Sequence, residues 1–217
     1  MLYHLSSVIT NRITRHCKGL ATGKPDNSGF QLYTQAFESL TAPIPSSISF
    51  EQASVLPLAI STAAAGLYMK EFLHLPYPSK DPKSTGKTLL VYGASSSVGS
   101  LAVQLAAASG LTVIATASSK NIDYAKSLGA KECFDYNNKS VVDDLVSALK
   151  QNGSFAGVYD AVSLPETIKL CAQVTDKLGG GFISTTLGPP EDLPKSVKAK
   201  WCMLYFKHID AQRLTMN

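Results

Sequence analysis

Thr88-Leu-Leu-Val-Tyr92-Gly93-Ala-Ser-Ser-Ser-Val-Gly99 joins an apolar run to a helix through a turn of small residues. Thr88 to Tyr92 is a short apolar run of strand length. Val98, Leu101, Leu105 and Ala108 then recur at helical spacing, and Gly110 stops that helix. Between them lies a turn of glycine and small side chains. Strand, small-residue turn and helix in this order form the first half of a βαβ unit.

The same alternation continues downstream. Thr112 to Thr116 reads as a second strand, and Ile122, Ala125 and Leu128 mark a second helix stopped at Gly129. Glu132 to Tyr136 is a third strand. Val142, Leu145, Val146 and Leu149 share one face of a third helix, with Ser140 as its N-cap. Phe155 to Val162 is a fourth strand, Pro165 opens a fourth helix that Gly179 ends, and Phe182 to Thr186 is a fifth strand. Short connections between alternating elements require crossovers. The expected fold class is therefore α/β, a doubly wound parallel sheet of Rossmann type.

Upstream the pattern is different. Residues 76–86 hold three prolines and few apolar groups, and read as a linker. Ser49 with Gln52 three residues later is a capping-box signature. It opens a small, apolar helical segment through Ala53 to Tyr68, bent or restarted at Pro57. Residues 20–34 are loop-like, with Phe30, Leu32 and Thr34 alternating as a short strand. Leu2, Leu5, Ile9 and Ile13 recur at helical spacing among Arg12, Arg15 and Lys18 without an acid. That composition suits a mitochondrial presequence, an ordinary N-terminal helix, or a stretch unrelated to the fold that follows.

Composition narrows the classes. The 217 residues are 45% hydrophobic and 17% charged, enough to bury a core. The formal charge of +4 is scattered singly, so no nucleic-acid partner is expected. Cys17, Cys133, Cys171 and Cys202 are dispersed, as are His4, His16, His74 and His208. No C-x-x-C pattern or disulfide framework follows, so the expectation is no metal and reduced thiols. No apolar run approaches the ~20 residues of a membrane span. The expected location is cytoplasmic, or mitochondrial if the first residues are a presequence.

In a doubly wound sheet the first βα turn faces the ligand, where helix N-terminal amides hold phosphate. Ala94, Ser95, Ser96 and Ser97 allow close approach, and Gly99 allows tight helix packing. Of the G-x-G-x-x-G positions held by Ala94, Ser96 and Gly99, one glycine remains. The turn is thus a dinucleotide phosphate loop or an ordinary small-residue turn. Selection of NAD usually places Asp or Glu after strand two. This chain has Ala117-Ser118-Ser119-Lys120 there, which favours NADPH, Ser118 and Lys120 facing the 2′-phosphate. The alternative for Lys120 is a solvated surface lysine. No tyrosine has lysine four residues on, so a short-chain dehydrogenase is not expected.

Leu56-Pro-Leu-Ala59 with Thr62-Ala-Ala64, the turn Val91 to Gly99, Ala102-Val-Gln-Leu-Ala106 and Lys126-Ser-Leu-Gly-Ala130 resemble the medium-chain dehydrogenase/reductase superfamily. The similarity is to its zinc-free quinone-oxidoreductase and enoyl-reductase branch, particularly the fungal members, and runs from about Gly19 to Leu193. It implies an unassigned segment over 1–18, a remnant of a GroES-like β domain with its connecting helix over 19–68, the Rossmann domain over 69–193 and a C-terminal strand or tail over 194–217. It implies a chain truncated relative to the family. It also places Thr62 beside the nicotinamide, Ser95, Ser96, Ser97 and Val98 at the pyrophosphate, Ser118 and Lys120 at the 2′-phosphate, Tyr136 near the adenosine, and backbone groups of Val162 and Leu187 along the nicotinamide. No proton donor is assigned. The implied activity is NADPH-dependent reduction of an activated double bond or quinone in a small-molecule substrate. The alternative is a dinucleotide-binding fragment without turnover. Trp201, Met203, Leu204, Tyr205, Phe206 and Ile209 form an apolar cluster, read as an edge strand that pairs in a homodimer or as a helix folded back.

Overall fold

The computed structural model describes residues 12–16, 23–35 and 41–202. Chain contacts divide the molecule into two units, residues 1–58 and 59–217.

In the first unit, β1 (Ile13–Arg15) pairs antiparallel with β2 (Thr41–Pro43), Thr14 opposite Ala42. This small sheet fits a partial GroES-like β domain. The Arg12 guanidinium donates to the Ile48 carbonyl at 2.5 Å and lies 4.6 Å from the centre of the Phe50 ring. Of the helical spacing read over Leu2, Leu5, Ile9 and Ile13, the first three lie outside the described residues, and Ile13 is in a strand. The strand expected at Phe30–Thr34 is not formed. Phe30 adopts φ +56° and, with Leu32 and Tyr33, stands exposed. The side chains of Gln31 and Thr34 instead bond back to carbonyls of the 3₁₀ turn at Pro25–Asn27 and of Ser28. Polar side chains that satisfy a turn compete with the strand ladder, and alternation alone does not reveal this.

The capping box forms as read. Ser49 Oγ accepts from the Gln52 amide at 3.1 Å, and Gln52 Oε1 accepts from the Ser49 amide at 2.9 Å. It opens α1 (Phe50–Ser54), and the chain restarts as α2 (Leu56–Tyr68) with Pro57 in its first turn, where a missing amide costs no helical bond.

The second unit is a six-stranded parallel sheet. Its strands are β3 (Lys87–Tyr92), β4 (Thr112–Ala117), β5 (Glu132–Asp135), β6 (Ser154–Asp160), β7 (Gly181–Thr185) and β8 (Val197–Trp201), in the spatial order β5-β4-β3-β6-β7-β8. Every neighbouring pair is parallel. The helices are α3 (Ser97–Ala108), α4 (Ile122–Ser127), α5 (Val141–Gln151) and α6 (Pro165–Lys177). Side chains alternate across the pleat, and both faces are covered. Leu89, Val91, Val113 and Ala115 pack under Ala63 and Leu67 of α2 and Ala102, Val103 and Ala106 of α3. Leu90, Tyr92 and Ile114 point the other way, onto Leu145 and Leu149 of α5 and Cys171 and Val174 of α6.

Two details differ from the sequence expectation. Ser140 occupies the N-cap position of α5 but makes no side-chain cap; its hydroxyl bonds to Asp144 Oδ2 at 2.7 Å. Five strands were readable in the alternation, whereas the sheet has six, β8 pairing with β7 from Gly181 opposite Val197 to Thr185 opposite Trp201. Lys198 and Lys200 interrupt β8, so it lacks the apolar run that marks the inner strands.

Candidate functional site

The strand order reverses between β3 and β6, and the ligand crevice of such a sheet lies at the carboxyl ends flanking that reversal. Gly93 follows β3 at φ +77°, a left-handed conformation that favours glycine. A Cβ there would lie 2.5 Å from Val162 Cγ2, so the turn after β3 packs directly on the turn after β6. Gly99 is still more confined. A Cβ there would lie 2.1 Å from the Gly93 carbonyl oxygen, so the first turn of α3 sits hard against the end of β3.

The backbone donors of this turn divide into two sets. The Gly93 amide donates to Thr116 Oγ1 at 3.2 Å and the Ala94 amide to Thr116 O at 2.9 Å, fastening the turn to β4. The Ser96 amide donates to Gly93 O, and the Gly99 amide to Ser96 Oγ, the N-cap of α3, at 3.0 Å. Among the described residues no acceptor meets the amides of Ser95, Ser97 and Val98. Three open amides at the start of a 12-residue helix, beside small side chains, form an anion cradle.

The end of β4 adjoins this cradle. Ser118 follows Ala117, and Ser119–Asn121 form a single 3₁₀ turn. Asn121 Nδ2 donates to Ser95 Oγ at 3.3 Å and to Ser118 Oγ at 3.0 Å. Lys120 is exposed and makes no ion pair among the described residues. On β5, Asp135 lies opposite Ala117, but its Oδ1 accepts the backbone and side-chain amides of Asn137, each at 2.9 Å. Tyr136 follows β5, its ring centre 6.1 Å from that of Tyr92 and its amide 3.3 Å from Ala117 O.

Across the reversal a second network closes on a buried carboxylate. Asp160 ends β6 with no exposed surface. Its Oδ1 accepts the amides of Val162 at 2.9 Å and Ser163 at 2.8 Å, and its Oδ2 accepts the Thr167 hydroxyl at 2.8 Å. Burial raises the Asp160 pKa above the ordinary carboxyl value, with those hydrogen bonds opposing the shift. Ser163 adopts φ +57° and accepts the Thr186 amide at 2.7 Å, tying the end of β7 to the same turn. The Leu187 carbonyl accepts the Thr185 hydroxyl at 2.7 Å.

The expected site residues thus fall into groups. Ser95, Ser96, Ser97 and Val98 share the cradle, and Ser118 is joined to it by Asn121. Lys120 and Tyr136 flank the ends of β4 and β5. Val162 packs on Gly93 through its side chain, while its amide is committed to Asp160. Leu187 stands past β7. Thr62 is in α2, 2% exposed, its carbonyl accepting the Tyr159 hydroxyl at 3.0 Å. Sequence reasoning missed Thr116, Asn121 and Asp160. Only Asp160 leaves a trace in the pattern, as an acid closing an otherwise apolar strand.

A family model described as "Zinc-binding dehydrogenase" matches residues 97–216. The chain is 47% identical over 191 residues to "Trans-enoyl reductase himH" of Aspergillus japonicus, covering 88% of this chain and 54% of that protein. It is 38% identical over 203 residues to "Dehydrogenase orsE" of Emericella nidulans, covering 87% and 58%. The chain therefore spans about half the length of the curated relatives it matches. Among solved structures, Escherichia coli quinone oxidoreductase complexed with NADPH shares the fold with TM-score 0.58 at 21% identity, covering 81% of this chain and 55% of that one. CurK enoyl reductase does so with TM-score 0.62 at 20% identity, covering 83% and 55%.

The described residues do not fit a zinc ion. No three His, Cys, Asp or Glu side chains among them are grouped to hold a metal. Cys133, Cys171 and Cys202 are each buried, and burial pushes the thiols of Cys133 and Cys202 up to about 11, away from the thiolate a metal requires. With its helix-bounded parallel sheet and the match over residues 97–216, the chain belongs to the zinc-binding dehydrogenase family of the medium-chain dehydrogenase/reductase superfamily.

Proposed function

We propose that this chain binds NADPH across the β3/β6 reversal and belongs to an oxidoreductase that reduces an activated carbon–carbon double bond or a quinone. The observation that carries the proposal is the cradle of open amides at Ser95, Ser97 and Val98. A pyrophosphate accepts hydrogen bonds only, and this turn offers donors already fixed in place by Thr116 and Ser96. Ser118 and Lys120 would take the 2′-phosphate. No acid ends β4, and Asp135 is engaged with Asn137. Tyr136 would flank the adenosine, and Thr62, Val162 and Leu187 would line the nicotinamide side.

The bound dinucleotide would supply a hydride to an electrophilic carbon. The chain's own contribution is placement. The Val162–Gly93 contact holds the two turns together, and the Asp160 network fixes the turn after β6. The names of a trans-enoyl reductase relative and of a quinone oxidoreductase with the same fold support this substrate class.

The test is NADPH oxidation by the purified chain against enones and quinones, with binding measured separately. Acceptor-dependent oxidation is expected. Saturable binding without turnover would select the binding-only alternative, and absence of dinucleotide binding would overturn both.

We further propose that the chain forms a homodimer. β8 has β7 on one side and no strand on the other among the described residues, leaving ladder groups open. Met203 to Ile209, the rest of the expected interface, lie outside the described residues. Light scattering should report a dimer, and Trp201→Lys should shift it toward monomer; a monomeric parent chain contradicts this.

A further inference from the structure

Among the described residues, Asn121 is the one side chain that bonds to both the turn after β3 and the turn after β4 at their carboxyl ends. Its backbone amide also donates to Ser118 O at 2.8 Å, so the carboxamide is fixed at its base. A hydroxyl has one proton to give and two lone-pair directions that accept. Ser95 Oγ and Ser118 Oγ both accept from Asn121 Nδ2, so each keeps its own proton for another acceptor. Among the described residues neither hydroxyl has one. Asn121 therefore turns two neighbouring serines into donors with a common polarity.

We propose that Asn121 is a positioning residue that sets cofactor choice by holding the Ser95 and Ser118 hydroxyls as paired donors to the 2′-phosphate of an adenosine ribose, the Ser95 backbone amide staying with the pyrophosphate. This rests on the dinucleotide reading above. A phosphate only accepts, so it depends on the polarity of its partners. A ribose 2′-hydroxyl donates or accepts and is served by either polarity. A side chain that reverses the two serines therefore acts on NADPH far more than on NADH.

Asn121→Asp makes that reversal with almost no change of shape. A carboxylate accepts from both hydroxyls, takes up their protons and adds a negative charge beside the phosphate. Titration of the parent chain and of Asn121→Asp with NADPH, NADH, 2′,5′-ADP and 5′-AMP measures the result. NADPH and 2′,5′-ADP should weaken by roughly tenfold to a hundredfold, the worth of a charge-assisted hydrogen bond. NADH and 5′-AMP should change by less than about threefold on the same reasoning. Asn121→Ala, which frees the serines without reversing them, should lower the NADPH-to-NADH preference by less. It carries the comparison if the Asp variant does not melt cooperatively. A purely structural role would weaken all four ligands together. An unchanged NADPH-to-NADH preference in variants of a chain that binds both overturns the role of Asn121 alone. A parent chain that binds neither dinucleotide overturns the site itself.

Discussion

The turns after β3 and β6 are neighbours in the sheet, each follows a central parallel strand, and each leads into a helix, yet they treat their backbone donors in opposite ways. After β6, the amides of Val162 and Ser163 close on the buried carboxylate of Asp160. After β3, no acid is present, and the amides of Ser95, Ser97 and Val98 remain open behind small side chains. One turn carries its own anion and is a rigid wall. The other carries no charge of its own and is the proposed seat of the cofactor's phosphates. The difference is made by residue type: Asp160 at the end of β6 against Tyr92-Gly93-Ala94 at the end of β3.

Removing the built-in anion should have the largest effect on the wall. Asp160→Ala removes the acceptor of the buried Ser163 amide and of the half-buried Val162 amide, while the Thr167 hydroxyl keeps the Leu164 carbonyl, and stability should fall by roughly 2 to 3 kcal/mol. Denaturant titration measures it; a loss below about 1 kcal/mol would show that the carboxylate does not hold this turn. On the open side, Gly99→Ala drives a Cβ against the Gly93 carbonyl. It should cost about 1 to 3 kcal/mol and abolish dinucleotide binding. Gly188→Ala, whose Cβ meets nothing within 4 Å, is the stability control. Equal behaviour of the two variants would mean that close helix approach is not required.

Lys120→Ala acts at the edge of the open turn. Because Lys120 is exposed, the contact is screened, and NADPH affinity should fall about threefold to tenfold with NADH hardly altered. Equal losses for both would remove Lys120 from phosphate recognition. The smallest effect concerns pH. The folded chain holds the Asp160 proton more tightly than the unfolded chain does. Stability from this group is therefore present below the ordinary carboxyl pKa, about 3.9, and is lost as pH rises from there through the raised folded value. Asp160→Asn should abolish that slope in stability against pH; an unchanged slope would assign it to other groups.

The sheet was legible because its inner strands are short apolar runs bounded by Gly93, Gly110, Gly129 and Gly179, and because both faces must be buried. β8 was not legible in the alternation and came only from the resemblance, as a C-terminal strand or tail over 194–217, since an edge strand carrying Lys198 and Lys200 loses that signature. The false strand at Phe30–Thr34 has the right alternation, but Gln31 and Thr34 bond to their own loop. In the candidate site, Ser95 to Val98 were readable as a small-residue βα turn. Thr116, Asn121 and Asp160 were not, because their roles depend on partners brought close by the fold: Gly93 and Thr116 are 23 positions apart, and Asn121 and Ser95 are 26.

One turn has open amides, and its neighbour does not. Amide chemical shifts followed by NMR during NADPH titration test it residue by residue. The amides of Ser95, Ser97 and Val98 should show the largest shifts of the backbone at saturation, while those of Val162 and Ser163, already bonded to Asp160, move little. Saturable binding that leaves the Ser95, Ser97 and Val98 amides in place, or that shifts Val162 and Ser163 instead, would contradict the account.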